Sequence, residues 1–408
     1  FRAPPVSPKN SFADAKLCVH RVSNRATYGE DVKMRVAVVT ESFLPSTNGV
    51  TNSVVKILES LKAEGHEAIL IAPTAPSDEF LGFPVIRTTN VAFRSFPVAL
   101  PLINMTSILR SFKPDVVHVA SPFFLGRQAL AVARRLSIPT VAIYQTDITG
   151  YTARYGLGLL EAASRQVTRN IHRLADITLA PTHETARALR ELGITRIGVW
   201  GRGVDTQQYY PQRRTSAAVH QLRDRVAPNH ELVVGFVGRI APEKQVARFS
   251  ELFGLKNAVF LIVGDGPERA RLEGEFADHP VTFTGALHGD DLANAYAAMD
   301  VFVHCGEEET FGQTIQEALA SGVPVVAPAA GGPLALITSG ENGFLVDPRE
   351  PDAYRKAVKK ILKHADVRHG MRANARASVA GKSWSANNAK LFKHYAGLIG
   401  VDYDLAHA

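Results

Sequence analysis

Two acids, Glu309 and Glu317, bracket the run Glu309-Thr-Phe-Gly-Gln-Thr-Ile-Gln-Glu317, which continues as Ala318-Leu-Ala-Ser-Gly-Val-Pro-Val-Val-Ala327. The apolar stretch Val301-Phe-Val-His304 before it reads as a strand. Gly312 opens a helical pattern, with Ile315, Leu319 and Ala320 on one face, that stops at Gly322-Val-Pro324. Glu309 then belongs to a strand-to-helix loop, and Glu317 lies roughly 7–8 Å further along the helix axis. Between them, the N–H groups around Phe311–Thr314 form the positive end of the helix, which favours phosphate. Carboxylates at either end of an anion site suit a ligand with hydroxyls at both ends and a diphosphate in its middle. A sugar nucleotide has that form, with hexose near Glu309, phosphates at the helix end and ribose near Glu317. The competing reading makes Glu309 part of a solvated run, Glu307-Glu-Glu309, and Glu317 a surface helix residue.

The other candidates also follow strand ends. Val237-Gly-Arg239-Ile-Ala-Pro-Glu-Lys244 carries a planar fork and a mobile point charge, a suitable pair for a diphosphate. An exposed cation pair is the alternative. Asn48-Gly49 precedes the first helix, where a small residue lets a ligand approach the N–H groups. No full G-x-G-x-x-G follows the first strand, which counts against a dinucleotide enzyme. His118 ends the third apolar strand, its role open between structure and catalysis. Asp147, beyond Tyr144-Gln-Thr, either accepts from an acceptor hydroxyl or caps a helix. Gly264-Asp-Gly-Pro267 reads as a turn with a structural purpose. The tidy D-x-D, Asp402-Tyr-Asp404, falls in the tail and reads as solvated, so no metal site is expected.

Positioning these loops takes strands and helices in alternation. From Met34 the pattern gives strands at Arg35–Thr40, Ala68–Ala72, Val116–Val119, Thr140–Tyr144, Ile177–Ala180 and Ile197–Trp200, with helices at 50–64, 124–136, 154–174 and 183–192. Gly201-Arg-Gly-Val-Asp205 and a polar run to His230 read as the domain connection. The alternation restarts at Leu232–Val237, Ala258–Val263, Val281–Thr284, Val301–Val303, Val323–Ala327 and Gly343–Val346, and ends in helices at 352–363, 367–378 and 385–399. Apolar strands alternating with helices predict two doubly wound α/β domains, whose ligands bind beyond the carboxyl ends of the strands. Facing domains would place every loop named here in one cleft.

The whole chain, at 408 residues with 46% hydrophobic and 21% charged, fits two globular domains. No apolar run is long enough to span a membrane, and the loop-like Phe96–Asn104, broken by two prolines, would touch one at most. Cys18 and Cys305 show no metal spacing and suggest a reducing compartment. Lys and Arg outnumber Asp and Glu by 23 to 15 over residues 1–200 and stand at 23 to 24 afterwards. That asymmetry hints at an anionic partner for the first half, and a scattered solvated surface is its plainer explanation. Nucleic acid ranks last, because no reading module is recognisable. Residues 1–33 are proline-rich at their start and lack the apolar core of a secretory signal, so a disordered or non-native extension is expected.

With Glu309–Glu317, Arg239 and Lys244 in one chain, the sequence resembles the retaining GT-B glycosyltransferases of family 4, from Met34 to about Gly400. The resemblance implies an acceptor domain over 34–205, a donor domain over 206–382, and a C-terminal helix within 383–408 crossing back to the first domain. It also implies Glu309 on the donor hexose, Glu317 on the ribose, and Arg239 and Lys244 on the diphosphate with N–H groups near Gly49. Phe311 and Gly312 belong to the same donor-binding loop, backbone near Leu287 would meet the base, and His118 would lie near the transferred sugar. Gly331-Gly-Pro333 matches another family loop near the donor. Thr40-Glu-Ser-Phe-Leu-Pro, Gly49-Val-Thr and Asp115-Val-Val-His-Val-Ala-Ser-Pro look closest to actinobacterial GDP-mannose-dependent mannosyltransferases acting on glycosyl-diacylglycerols, with UDP-sugar-dependent enzymes like the sulfoquinovosyl-diacylglycerol synthases, or phosphatidylinositol mannoside mannosyltransferases, as alternatives. The implied partners are a nucleotide sugar, GDP-mannose favoured, a glycolipid and an anionic membrane surface, with no metal cofactor. The implied location is cytoplasmic, at the inner face of the plasma membrane. Gln245, Asn48 and Ala120 depart from the family, replacing respectively a Gly, a Gly and a second His. A sugar-nucleotide epimerase on the same scaffold is the rival enzyme class.

Overall fold

A computed structural model describes residues 33–46, 48–88, 90–93, 96–99, 104–145 and 158–403. The expected extension before Lys33, with Cys18, lies outside the described residues, as do Asp147 and Asp404.

Val36–Val39 are completely buried, as a strand covered on both faces requires. The strand Arg35–Val39 pairs in parallel with Glu67–Ala72 on one side and Val116–Val119 on the other. Beyond Val116–Val119 come Thr140–Ile143, Ile177–Ala180 and Ile197–Val199, all parallel. Phe83–Arg87 lies outside Glu67–Ala72, and Glu79–Phe80 closes that edge antiparallel. In the second sheet Leu232–Val237 is flanked by Ala258–Val263 and Val301–Val303. Val281–Gly285 extends one side; Val325–Pro328 and Gly343–Val346 extend the other. In both sheets the strand order reverses beside the first strand, which opens a crevice between two diverging loops. One crevice takes the loops after Val39 and Val119, the other those after Val237 and Val303.

Two expectations need correction. Phe96–Ala99 is a strand paired antiparallel with Asn90–Phe93, not a loop. The connection from Asp205 to His230 contains the helix Ala217–Val226, capped by the Ser216 hydroxyl; only Val219 and Val226 of it are buried, so its sequence reads as polar. The helices Met105–Phe112 and Gly289–Ala298 also went unread.

The last helix, Trp384–Ile399, returns to the first sheet. Leu391, Phe392 and Tyr395 complete the core beneath Val36, Val38 and Val116. Asn388 Nδ2 donates to the Lys56 carbonyl at 2.9 Å and to Ser60 Oγ at 2.8 Å, both on the helix Gly49–Ala63. Among the described residues, no helix is long and apolar enough to cross a membrane.

Candidate active site

Val301–Val303 is buried throughout, and the chain leaves it through His304 into the loop that carries Glu309. Gly312 takes a φ of +97° as it caps the helix Gln313–Ala320, a conformation that favours glycine. Glu309 Oε1 accepts from the backbone N–H groups of Phe311, at 3.4 Å, and Gly312, at 3.1 Å. Its Oε2 accepts from Lys244 Nζ at 2.7 Å. The carboxylate itself thus takes part of the helix-end anion site that the sequence suggested for phosphate. Burial alone would raise the Glu309 pKa; Lys244, and after it Arg202, outweigh this and hold the group well below the usual carboxylate range. Lys244 mirrors this: burial opposes its charge and Glu309 more than restores it. An ionised Glu309 is an acceptor only, suited to hydroxyl donors.

Gly331-Gly-Pro333 wraps this loop. Gly332 N–H donates to the Glu309 carbonyl at 2.6 Å. A Cβ at Gly331 or Gly332 would collide with the carbonyl oxygens of Glu309 and Phe311 respectively. Phe311 itself is buried in the core of the second sheet.

Glu317 sits deeper. Tyr296 Oη donates to its Oε2 at 2.8 Å, and burial pushes its pKa up to about 7, against hydrogen bonds from Tyr296 and Gln313 and the charge of Arg202. Near neutral pH it therefore changes between donor and acceptor. Arg239 and Lys244 share the loop after Leu232–Val237, and Arg239 Nη1 lies 3.7 Å from Glu243. That loop rests on the turn at Gly264: Ile240 N–H donates to the Asp265 carbonyl at 2.9 Å, and a Cβ at Gly266 would strike the Ile240 carbonyl. Leu287 is half-buried against the same core as Phe311.

From the first sheet, Asn48 caps the helix Gly49–Ala63, its side chain accepting from Val50 and Thr51. Gly49 opens that helix, and Arg202 lies directly over it. Arg202 Nη2 donates to Gln145 Oε1 at 2.8 Å, and Thr310 Oγ1 donates to the Gln145 carbonyl at 3.2 Å. Residues of both sheets thus meet around Glu309 and Glu317. Sequence reasoning missed Arg202 and Gln145, because one lies in the presumed linker and the other looks like any strand-end glutamine. Glu41 also went unremarked: it accepts from Phe123 N–H at 3.1 Å and Gly126 N–H at 2.9 Å, and burial lifts its pKa to about 7.

His118 does not join this group. Its side chain is fully buried, with Nδ1 2.7 Å from Tyr395 Oη on the C-terminal helix. Burial lowers its pKa to about 3, so the ring is neutral. Val116 and Ala120, two residues either side, belong to the core under that helix, while Val117 and Val119 face the other way. His304 is likewise buried and neutral, directly behind Glu309 and Lys244. Among the described residues no three His, Cys, Asp or Glu side chains gather as a metal set.

The profile described as Glycosyl transferases group 1 matches residues 220–378, and that described as Glycosyltransferase Family 4 matches residues 47–208. A GDP-mannose-dependent alpha-mannosyltransferase of Mycobacterium tuberculosis is 46% identical over 381 residues, covering 90% of this chain and 97% of the relative. An alpha-monoglucosyldiacylglycerol synthase of Acholeplasma laidlawii is 29% identical, covering 78% of this chain and 86% of the relative. The crystal structure of Anabaena HepE in complex with UDP superposes with a TM-score of 0.74 at 20% identity, covering 89% of this chain and all of that one. Two parallel sheets meeting at their switch-point loops, the acid pair with its cations, and close relatives along nearly the whole length lead to one assignment: this chain belongs to the family 4 glycosyltransferases, retaining enzymes of the GT-B fold.

Proposed function

We propose that this enzyme transfers an α-mannosyl group from GDP-mannose to a hydroxyl of a glycolipid, such as glucuronosyl diacylglycerol, in cell-envelope lipoglycan synthesis. The observation that carries the donor is the 46% identity, along 90% of the chain, to a GDP-mannose-dependent alpha-mannosyltransferase. A lipid acceptor is supported by the likeness to the glucosyldiacylglycerol synthase.

In this reading Glu309, ionised and held by Lys244, accepts from mannose hydroxyls. Glu317 meets the ribose, and backbone near Leu287 meets the base. Arg239, Lys244 and the helix ends carry the diphosphate, and the bond from the sugar C1 to its phosphate oxygen breaks as negative charge builds on that oxygen. The acceptor oxygen bonds to C1 on the same face, and its proton passes to the departing phosphate. Preorganised cations and amide dipoles act where this charge develops, in a site partly closed to water. The neutral His118, turned to the C-terminal helix, takes no part. The cationic set makes a metal unnecessary. The enzyme works peripherally at the inner, anionic face of the membrane, drawn by its basic first half.

The test is purified protein with labelled GDP-mannose, UDP-glucose, UDP-galactose and UDP-sulfoquinovose, and glycolipid in anionic or neutral vesicles, with and without chelator. GDP-mannose should be consumed only with acceptor, fastest on anionic vesicles, and unaffected by chelator. A UDP-sugar preference, conversion without acceptor, indifference to vesicle charge, or a magnesium-rescued loss with chelator would each contradict its part of the proposal.

A further inference from the structure

Arg202 is a cation of the cleft to which no motif gives a role. It comes from Gly201-Arg-Gly203, between the last strand of the first sheet and the second domain, and its neighbours fix it closely. Gln145 Oε1 holds Nη2 at 2.8 Å, and Gln145 Nε2 in turn donates to the Ala120 carbonyl at 3.0 Å. Gln313 Nε2 donates to the Gly203 carbonyl at 3.1 Å, and a Cβ on Gly203 would strike the backbone of Trp384. A Cβ on Gly49 would stand 2.5 Å from Arg202 Nη1. The guanidinium is therefore seated on the first residue of the helix Gly49–Ala63.

That seat is electrostatically unfavourable, because a fifteen-residue helix presents its positive end there. Burial disfavours the charge further, while Glu309 and Glu317 act in its favour. Arg202 and Lys244 stand against Glu309 and Glu317, the second of which holds its proton to about pH 7, while Arg239 is matched by Glu243. The pocket has positive charge to spare, at the place where the N–H groups of one helix and the acid pair of the other domain converge. A diphosphate balances it.

We propose that Arg202 binds the donor diphosphate directly, as a third cation beside Arg239 and Lys244, and that position 49 is glycine because the Arg202 guanidinium occupies the space of a side chain. This rests on the reading of the donor as a nucleoside diphosphate sugar, and it adds a contact from the interdomain segment.

Binding measurements separate the two. GDP is titrated by calorimetry, and guanosine, which lacks phosphate, by ligand-observed NMR. Arg202→Gln should weaken GDP by about 10- to 150-fold, the scale of a charged hydrogen bond, and leave guanosine within about two-fold. Arg202→Lys should fall between. Gly49→Ala should also weaken GDP, by displacing the guanidinium without removing its charge, and should add little to Arg202→Gln in the double variant. GDP affinity unchanged in Arg202→Gln, an equal loss for guanosine, or additive losses in the double variant would overturn the proposal. Unmodified protein that prefers UDP to GDP would overturn the donor assignment alone, with Arg202 then judged on UDP against uridine. Protein binding no nucleoside diphosphate would overturn both.

Discussion

Lys244 and Glu309 form the pair on which the site's charge depends. Each is costly to bury alone, and each keeps its charge through the other. In the proposed reading, Lys244→Ala removes a contact to the departing diphosphate, and it leaves Glu309 without its nearest counter-charge. Turnover should fall by about 10- to 150-fold, equivalent to about 1.5–3 kcal/mol; normal turnover in steady-state kinetics would remove Lys244 from phosphate stabilisation. Glu41 makes a different prediction. An ordinary glutamate ionises near 4.5, whereas Glu41 keeps its proton to about 7. Between those values the folded chain binds more protons than the unfolded one, so stability falls as pH rises through the window and the loss is complete above it. Glu41→Gln removes this fall while its amide oxygen still accepts from Phe123 and Gly126. Melting temperature should therefore drop less in Glu41→Gln than in the unmodified protein between about pH 5 and pH 8; parallel curves would contradict the buried proton.

The elements divide between those the sequence announces and those it does not. Buried parallel strands announce themselves, because burial on both faces demands unbroken apolar runs such as Leu232–Val237 and Ala258–Val263. The helix Ala217–Val226 does not, since two buried positions leave no periodic stripe. The acid pair and Arg239–Lys244 are legible because each set sits within one short stretch of sequence. Arg202 is not: Gly49, Gln145 and Glu309 reach it from three distant segments, and only folding brings them together. His118 shows the other limit. Being at a strand end said that it was near the cleft; alternation along the strand decided that it points at Tyr395. Tyr395→Phe leaves buried His118 Nδ1 without its partner and should cost about 1–3 kcal/mol of unfolding free energy, with kcat unchanged at temperatures where the variant is folded. A fall in kcat without a fall in stability would return His118 to the chemistry.

At the scale of the whole molecule, each sheet contributes one crevice, and the site takes something from both. The first supplies Gly49, Gln145 and the segment carrying Arg202; the second supplies the acids and two cations. The helix Trp384–Ile399 follows the second domain in sequence yet packs in the first domain's core. Residues 201–203, between Trp200 in the first core and Val204 in the second, and the region before Trp384 are therefore the two covalent connections between the halves. The central claim is that one sugar nucleotide lies along this junction, with an acid at each end and cations at its middle. The most direct measurement is a crystal structure of the complex with GDP-mannose. The account predicts mannose hydroxyls within hydrogen-bond reach of Glu309, ribose hydroxyls at Glu317, and the diphosphate between them against Lys244, Arg239 and the Gly49 helix end. Donor bound elsewhere, with neither carboxylate within reach of a hydroxyl, would contradict it.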